Sequence, residues 1–242
     1  IKLNYYFCFQ KKFYMANQDN FKSPDYYLLD ELLSDEHLLI RKSIREFVKK
    51  EISPIIEEAC QTCIFPHTIL PQLGSLGCFG PFIPTQYGGA ELDQISYGLI
   101  MQELERGDSG IRSTASVQSS LVMFPIFKYG TEEQRKKYLN KLATGEMMGC
   151  FGLTEPNHGS NPGGMESKFK DMGDHFLLNG SKLWISNSPF ADIAIVWAKN
   201  DNNRIQGLII ETQWDGVSAP ETHNKWSLRG SVTGELIFDN VR

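Results

Sequence analysis

One polar stretch of the sequence combines residue types that could hold an anionic ligand. From Cys150 to Gly164 the sequence runs C-F-G-L-T-E-P-N-H-G-S-N-P-G-G, and the nine residues from Pro156 onward are only Pro, Asn, His, Gly and Ser. Proline lacks a backbone donor and glycine costs entropy in regular structure, so this segment cannot form a helix interior. We predict a strand that opens into a tight loop whose N–H groups could cradle a pyrophosphate, although an ordinary turn would have the same composition.

A second cluster of residues could bind a carboxylate. Arg112, Ser113 and Ser116 lie in an apolar segment, residues 111–129, and Arg112 and Ser116 would be i, i+4 neighbours on one helix face. A guanidinium beside a hydroxyl can hold a carboxylate with several donors at once. The alternative is a surface arginine paired with a nearby acid such as Asp108.

The other reactive side chains form no recognisable metal or nucleotide motif. The pair Cys60-x-x-Cys63 has no second pair, so reduced structural thiols are favoured over a zinc or redox site. Glu155 and His158 are too few ligands for a metal. The sequence also lacks G-x-G-x-x-G and G-x-x-x-x-G-K-[ST], so a bound dinucleotide would need another kind of cradle. The five cysteines are odd in number and scattered, which suits a reducing compartment.

The bulk composition is that of an ordinary globular protein. Of the 242 residues, 41% are hydrophobic and 22% are charged, which allows one large domain or two modest ones. A net charge of −5 argues against a nucleic-acid partner but not against a ligand that needs only a local basic patch. No apolar run approaches the ~20 residues that span a bilayer, so we expect no membrane insertion.

Helical periodicity places the carboxylate candidates within an all-helical region, residues 23–146. Ser34, followed by two acids, is a helix start, and apolar residues recur after it at helical spacing until Pro54, which we expect to interrupt the helix. Another apolar stripe closes near Gly107. Thr131 begins a capping box for a helix that stops at Gly145. Several antiparallel helices packed together are the expected arrangement.

Strand-like patterns follow from residue 147 to the end of the sequence. Residues 147–153 form a short apolar run, and Asn179-Gly180 between two apolar runs predicts a β-hairpin with a type I′ turn. The runs 193–198 and 205–210 flank an Asn- and Asp-rich turn, and another strand begins at Glu235. We therefore predict an α+β fold, with an N-terminal all-helical domain followed by a β-meander or small barrel.

The expected domain boundaries divide the chain into three parts. Residues 1–22 are predicted to be an unstructured leader, because residues 1–14 lack the features of a signal or transit peptide and the first methionine is Met15. The helical domain would cover residues 23–146 and the β domain residues 147–242. We interpret Met15 as the start of the protein.

The polar stretch resembles the flavin-binding motif of a known family. L-T-E-P-N-x-G-S, followed by W-I-S-N-S from Trp184, is similar to the motif of acyl-CoA dehydrogenases, and the resemblance runs from about Leu33 to Arg242. It implies that the loop lines FAD and its pyrophosphate, and that Trp184 covers one face of the ring. Ser186 stands where many members have Thr and keeps the hydroxyl. The cofactor contacts that the resemblance implies are Phe151, Gly152, Leu153, Thr154, Gly159, Ser160, Trp184, Ile185 and Ser186.

Within that family, the segment that begins at Arg112 resembles one subgroup. R-S-x-x-S-V-Q-S-S is similar to the segment of glutaryl-CoA dehydrogenases that holds the distal carboxylate of the substrate, where straight-chain relatives need an apolar pocket. The resemblance therefore implies that Arg112, Ser113, Ser116 and Ser160 contact the substrate.

The reaction implied by the resemblance is α,β-dehydrogenation of an acyl-CoA thioester, with glutaryl-CoA oxidised and decarboxylated to crotonyl-CoA. Such a reaction needs a well-placed base and hydrogen bonds to the developing enolate. The family's catalytic Glu lies in a C-terminal helical domain that we expect to be absent from residues 1–242. We therefore assign no catalytic residue, and we expect this chain alone to bind FAD poorly and to be inactive.

The resemblance also implies electron transfer flavoprotein as the acceptor, a homotetramer, and a bacterial cytoplasm or, as second choice, the mitochondrial matrix. The alternatives are a straight-chain acyl-CoA dehydrogenase, an acyl-CoA oxidase, a non-catalytic flavin- or acyl-CoA-binding relative, and an interaction module without a cofactor.

Overall fold

A computed structural model describes residues 26–242, so the predicted leader, residues 1–22, lies outside the described residues. The prediction of an α+β fold is confirmed, because helices occupy the first part of the chain and a curled sheet occupies the second. The last α-helix of the described residues ends at Thr144, and the first strand begins at Gly149.

The helical part is built from helices that begin and end at the expected signals. Ser34 accepts a hydrogen bond from the backbone N–H of His37, and Thr131 does the same for Gln134, so both predicted helix starts are confirmed. The α-helices of the described residues are α1 (Asp35–Phe47), α2 (Ser53–Thr62), α3 (Leu70–Ser75), α4 (Gln94–Gly107), α5 (Ser109–Ser116), α6 (Phe124–Tyr129) and α7 (Glu132–Thr144). Short 3-10 helices lie at Leu29–Leu32, His67–Ile69, Thr85–Tyr87, Pro162–Gly164 and Ser188–Phe190.

Two π-helical segments join helices into longer rods. Val48–Ile52 connects α1 to α2, and Val117–Met123 connects α5 to α6. Pro54 lies two residues after the end of the first segment, and Pro125 lies two residues after the end of the second. A proline has no N–H to continue the usual bonding pattern, and a wider π turn just before it re-routes the backbone hydrogen bonds. The expected interruption at Pro54 is therefore a π turn within a continuous rod.

The second part of the chain is one sheet. The strands of the described residues are β1 (Gly149–Gly152), β2 (Lys168–Asp171), β3 (Phe176–Ser186), β4 (Ile193–Lys199), β5 (Ile205–Glu211), β6 (Val217–Ser218) and β7 (Thr233–Val241). The strand order is β1-β4-β2-β3-β7-β6, with β5 also paired to β4. Strands β1 and β4 are parallel, with Gly149 opposite Ile193, whereas β4 and β5 form the predicted antiparallel pair.

The predicted hairpin at Asn179-Gly180 is wrong, because both residues lie inside the continuous strand β3. Asn179 exchanges hydrogen bonds with Asn240, which lies at a bulge in β7. Gly180 has φ of 144°, and a Cβ there would overlap the side chain of Ser167. Glycine is thus required by a close approach of neighbouring backbone and not by a turn.

Two hydrophobic clusters form the core. The larger one fills the space between the helices and includes Ile193 and Ile195 of β4, so one face of the sheet packs against the helical part. The smaller cluster contains Cys150, Leu178 and other residues of the sheet. Strand β4 contributes to both clusters, because Ala194 and Val196 belong to the smaller one.

Candidate functional site

The predicted cofactor loop follows β1 and leads into β2. Its first residues make a tight turn in which Glu155 and His158 exchange backbone hydrogen bonds of 3.3 and 3.1 Å. Leu153 and Thr154 before the turn are half-buried, and Gly159 and Ser160 after it are exposed. The structure thus presents one polar, accessible loop at the end of a buried strand.

The other predicted cofactor residues lie at the end of β3. Between the pairs Lys182–Leu236 and Ile185–Gly234, two residues of β3 oppose one residue of β7, which defines a β-bulge. Trp184 lies in this bulge with φ of 59° and is 68% exposed, whereas Ile185 is buried. The bulge breaks the alternation of the strand and turns the indole away from the core. Ser186 ends β3 opposite Thr233.

A backbone contact brings the loop and the tryptophan strand together. The N–H of Leu183 donates to the carbonyl of Thr154 over 2.9 Å. Phe151 and Gly152 precede this contact on β1, and Phe151 packs edge-to-face on Trp197 with ring centroids 6.3 Å apart. All nine predicted cofactor residues therefore belong to two neighbouring segments, one around each partner of this hydrogen bond.

Glu155, the acid of the motif, is a buried structural carboxylate. Burial would raise its pKa, but hydrogen bonds from the N–H of Glu166, from Lys182 and from Ser167 outweigh burial and hold the pKa well below its usual value. The Lys182 ammonium lies 2.8 Å from the Glu155 carboxylate, and both side chains are buried. A carboxylate held in this way is a poor proton acceptor near neutral pH.

The carboxylate-binding candidates lie on α5. Arg112 Nη1 donates to Ser116 Oγ at 3.4 Å, so the two side chains share a helix face as predicted. Arg112 is also paired with an acid, because its Nε lies 2.6 Å from Glu105 Oε2. Asp108, the acid considered from the sequence, instead caps α5 by accepting the N–H groups of Gly110 and Ile111, so that pairing is wrong. The half-buried Ser113 follows Arg112 on α5.

Asn187 connects the two groups of candidates and was missed in the sequence. It is fully buried with φ of 70°, accepts a hydrogen bond from Thr114 of α5 and donates to the carbonyl of Gly149 in β1. It follows Trp184 by three residues. The Asn in W-I-S-N-S was the available signal, since asparagine tolerates positive φ better than most residues.

A polar cleft of about 490 Å³ lies beside the cofactor loop but does not include Trp184 or Arg112. Its walls come from the turn at Glu155, from the start of β2 and from the middle of β3. The indole of Trp184 stands outside this cleft on an open surface. Of the candidate cofactor residues, Gly159, Ser160 and Trp184 are exposed, whereas Gly152 and Ile185 are buried.

No metal centre is found in the part of the chain that the structure covers. No three His, Cys, Asp or Glu side chains within residues 26–242 are grouped so that they could hold an ion. Cys60, Cys63, Cys78 and Cys150 are free thiols, and burial raises the pKa of Cys78 and Cys150. Among the helices described, none is long and apolar enough to cross a membrane.

Family comparisons agree with this division into helical and sheet parts. Residues 34–146 match the family model of the acyl-CoA dehydrogenase N-terminal domain, and residues 150–241 match that of the middle domain. The chain belongs to the acyl-CoA dehydrogenase family. The two matched domains contain every candidate residue named above.

The relatives of this acyl-CoA dehydrogenase chain are named for different acyl-CoA substrates, or for acyl-CoA in general. A probable acyl-CoA dehydrogenase of Bacillus subtilis is 39% identical over 217 residues, which are 87% of this chain and 57% of the relative. The human mitochondrial short-chain specific acyl-CoA dehydrogenase is 33% identical over 214 residues, 87% of this chain and 52% of that protein. A solved glutaryl-CoA dehydrogenase from Mycobacterium smegmatis, in complex with FADH2, has a TM-score of 0.86 and 45% identity, covering 88% of this chain and 54% of that one.

The chain spans little more than half the length of these relatives. The described residues thus correspond to the N-terminal and middle domains of the acyl-CoA dehydrogenase family.

Proposed function

We propose that this chain supplies the helical and sheet portions of an FAD-dependent acyl-CoA dehydrogenase. The observation that carries the proposal is the exposed indole of Trp184, turned out of β3 by a bulge and adjacent to a loop of polar residues and glycines. A large aromatic side chain held outward by a strained backbone is costly, and such strain is common where a ligand is bound. The flat ring of a flavin fits such a platform.

The residues present fit FAD by their chemistry. Bound FAD would accept a hydride from the β carbon of an acyl-CoA thioester. Trp184 would cover one face of the ring, and the hydroxyl of Ser186 would donate a hydrogen bond at its edge. Leu153, Thr154 and Ser160 would hold the ring and the pyrophosphate. Neighbouring residues of the same segments would exclude water from them, namely Phe151, Gly152, Gly159 and Ile185.

We further propose a thioester with a distal carboxylate, of the glutaryl-CoA type, as the substrate. Arg112 and Ser116 share one face of α5, with Arg112 Nη1 donating to Ser116 Oγ, and Ser113 and Ser160 would add hydroxyls. Arg112 is the cation of this cluster, and its guanidinium keeps donors beyond the Nε that Glu105 occupies. The glutaryl-CoA dehydrogenase resemblance at 45% identity supports this choice.

A straight-chain acyl-CoA is the second candidate substrate. The observation in its favour is the ion pair between Arg112 and Glu105. The Glu105 carboxylate already neutralises the guanidinium and would repel a carboxylate of the substrate. The human short-chain relative supports it as well. An acyl-CoA oxidase or a non-catalytic relative would share the same platform.

The remaining functions belong to the whole protein. We assign no catalytic base to this chain, since Glu155 is buried and paired. We propose electron transfer flavoprotein as the acceptor, a homotetramer as the assembly, and a bacterial cytoplasm, or otherwise the mitochondrial matrix, as the location. This chain alone is expected to bind FAD weakly and to turn over no substrate.

The test uses the complete protein that contains this chain. After purification, its visible spectrum shows whether it carries flavin, and dehydrogenation of glutaryl-CoA and butyryl-CoA is followed with an artificial electron acceptor. We expect a yellow protein that prefers glutaryl-CoA and releases CO2 from it. A colourless protein that takes up no FAD would refute the cofactor assignment, and a preference for butyryl-CoA would replace the diacid by the straight-chain substrate.

A further inference from the structure

We infer that the buried pair of Glu155 and Lys182 is the positioning element of the cofactor loop. The inference rests on the proposed flavin site and adds to it the residues that hold the loop in place. Neither side chain faces outward, since the exposed fractions are 0% for Lys182 and 4% for Glu155. Both therefore act through the backbone they hold and not by touching a ligand.

Glu155 holds the end of the loop. Its two carboxylate oxygens accept the backbone N–H groups of Glu166 at 2.5 Å and Ser167 at 3.0 Å, just before β2 begins. The same side chain sits eleven residues earlier, at the start of the loop. One carboxylate thus ties the beginning of the loop to its end, and closes a segment whose glycines and prolines could not close it by regular structure.

Lys182 holds the beginning of the loop. Its ammonium donates to the carbonyl of Leu153 at 3.3 Å and to Glu155 at 2.8 Å. The stem of the lysine passes close to Gly152, where an added Cβ would lie 3.1 Å from Lys182 Cγ. The glycine before Leu153 in the motif is therefore explained by the room that this lysine needs.

The same lysine fixes the strand that carries the indole. Lys182 is the last regularly paired residue of β3 before the bulge, and Trp184 follows it by two residues. Leu183, the first residue of the bulge, also donates its N–H to the carbonyl of Thr154. The loop and the bulge are therefore joined by this backbone hydrogen bond as well as by the Lys182–Glu155 ion pair. The relative position of the loop and the indole is thereby set before any ligand arrives.

A buried ion pair that positions a loop can be distinguished from one that only stabilises the fold. Two charges removed from water lose most of their mutual attraction to desolvation, so an apolar or neutral pair of similar size often supports a fold equally well. Removing one partner, however, leaves a buried unpaired charge. A pair kept for stability alone could thus be replaced by neutral residues without loss, whereas a pair kept for positioning could not.

The experiment compares Glu155→Gln, Lys182→Met and the double variant in the complete protein, with the exposed pair member Lys137→Met as control. Denaturant unfolding of the apoprotein gives the stability, and titration of the apoprotein with FAD gives the affinity. We expect both single variants to lose stability and affinity. The double variant should recover part of the stability that the single variants lose, because no unpaired charge stays buried. It should still bind FAD about 10- to 100-fold more weakly, the range known for removing the hydrogen-bond partners of metal ligands.

Hydrogen exchange supplies a readout that needs no flavin. In the apoprotein, the amides of Glu166 and Ser167 should exchange faster in the double variant than in the wild type, while Lys137→Met leaves them unchanged. If the wild type binds no FAD, the proposed function fails but this exchange measurement still tests the fastening. A double variant with wild-type affinity, or with unchanged exchange at both amides, would overturn the inference.

Discussion

Neutralising Arg112 tests whether this side chain selects the substrate. In the complete protein, Arg112→Gln removes the charge that would meet a distal carboxylate and leaves Glu105 with its hydrogen bond from Ser109 but without the ion pair. The Arg112 side chain is 35% exposed, and its Nε lies 2.6 Å from the Glu105 carboxylate. A hydrogen bond to a charged group contributes about 1.5–3 kcal/mol. Because Arg112 is partly exposed, we expect its bond to the distal carboxylate of the substrate to lie near the lower end of that range.

A loss of about 1.5–2 kcal/mol corresponds to a decrease of about 10- to 30-fold in kcat/KM. The decrease should affect glutaryl-CoA and not butyryl-CoA, because only the former carries a second carboxylate. Steady-state kinetics with both thioesters and one artificial acceptor give the ratio directly. Ser116→Ala removes a single neutral donor and should cost glutaryl-CoA a smaller factor, about 3- to 10-fold.

Glu105→Gln is the matched control, since it removes the competing carboxylate and keeps the cation. We expect kcat/KM for glutaryl-CoA to stay the same or to rise in this variant. An equal decrease for both thioesters in Arg112→Gln would show that the arginine only supports α5. If neither thioester is affected, Arg112 is a surface residue and the substrate has no distal carboxylate.

Three further predictions concern the framework of the site. Gly180→Ala should lower the free energy of unfolding by about 1–3 kcal/mol, because φ is positive there and an added Cβ would overlap neighbouring atoms. Gly98→Ala, on the exposed face of α4, should instead raise the free energy of unfolding by up to about 1 kcal/mol. Denaturant unfolding measures both changes. Asn187→Ala should cost about 2–4 kcal/mol in the same assay, because it places alanine at positive φ and leaves buried partners unsatisfied; a loss below that of an exposed residue would contradict the buried junction. The pKa of Glu155 is lowered on folding, so its contribution is complete above its usual value of 4.5 and is lost as the pH falls from there toward the folded pKa. The stabilities of wild type and Glu155→Gln should therefore differ most above pH 4.5 and converge as the pH falls through that window, and parallel curves would refute the assignment.

The sequence predicted the elements that depend on local signals. The helix start at Ser34, the capping box at Thr131 and the end of α4 at Gly107 follow from residues close to each boundary. The antiparallel pair β4 and β5 was likewise visible as two apolar runs around a polar turn. Such features need no knowledge of the rest of the fold.

Contacts between distant residues explain what the sequence did not predict. Asn179-Gly180 has the composition of a hairpin turn, but Ser167 and Asn240 decide its conformation, and neither is near in sequence. The partner of Arg112 is another case. Asp108 is closer in sequence than Glu105, but capping of α5 uses its carboxylate, so the acid seven residues away takes the guanidinium.

The residue types indicated which side chains could contact a ligand, but not which other residues hold those side chains in position. Trp184 and Ser160 were identifiable because their motif is local, whereas Lys182 gave no signal, since a lysine in a strand is normally exposed. Lys182 lies on the same face of β3 as the buried Leu178 and is paired with the carboxylate of Glu155, a partner that a linear pattern does not reveal. Positioning residues are thus harder to predict than the residues they position.

Gly149 shows how the helical and sheet parts form one framework. Its N–H donates to Gln118 Oε1 at 2.8 Å and its carbonyl accepts from Asn187 Nδ2 at 3.3 Å, so two buried amides take both of its polar groups. Gln118 belongs to the π segment after α5, and Asn187 also bonds Thr114 of α5. The helix that carries Arg112 is therefore fixed to the start of β1 and to the end of β3 at one residue. Because a junction of this kind sets the distance between the two segments, it would hold the proposed substrate site on α5 at a fixed distance from the proposed cofactor site on the sheet.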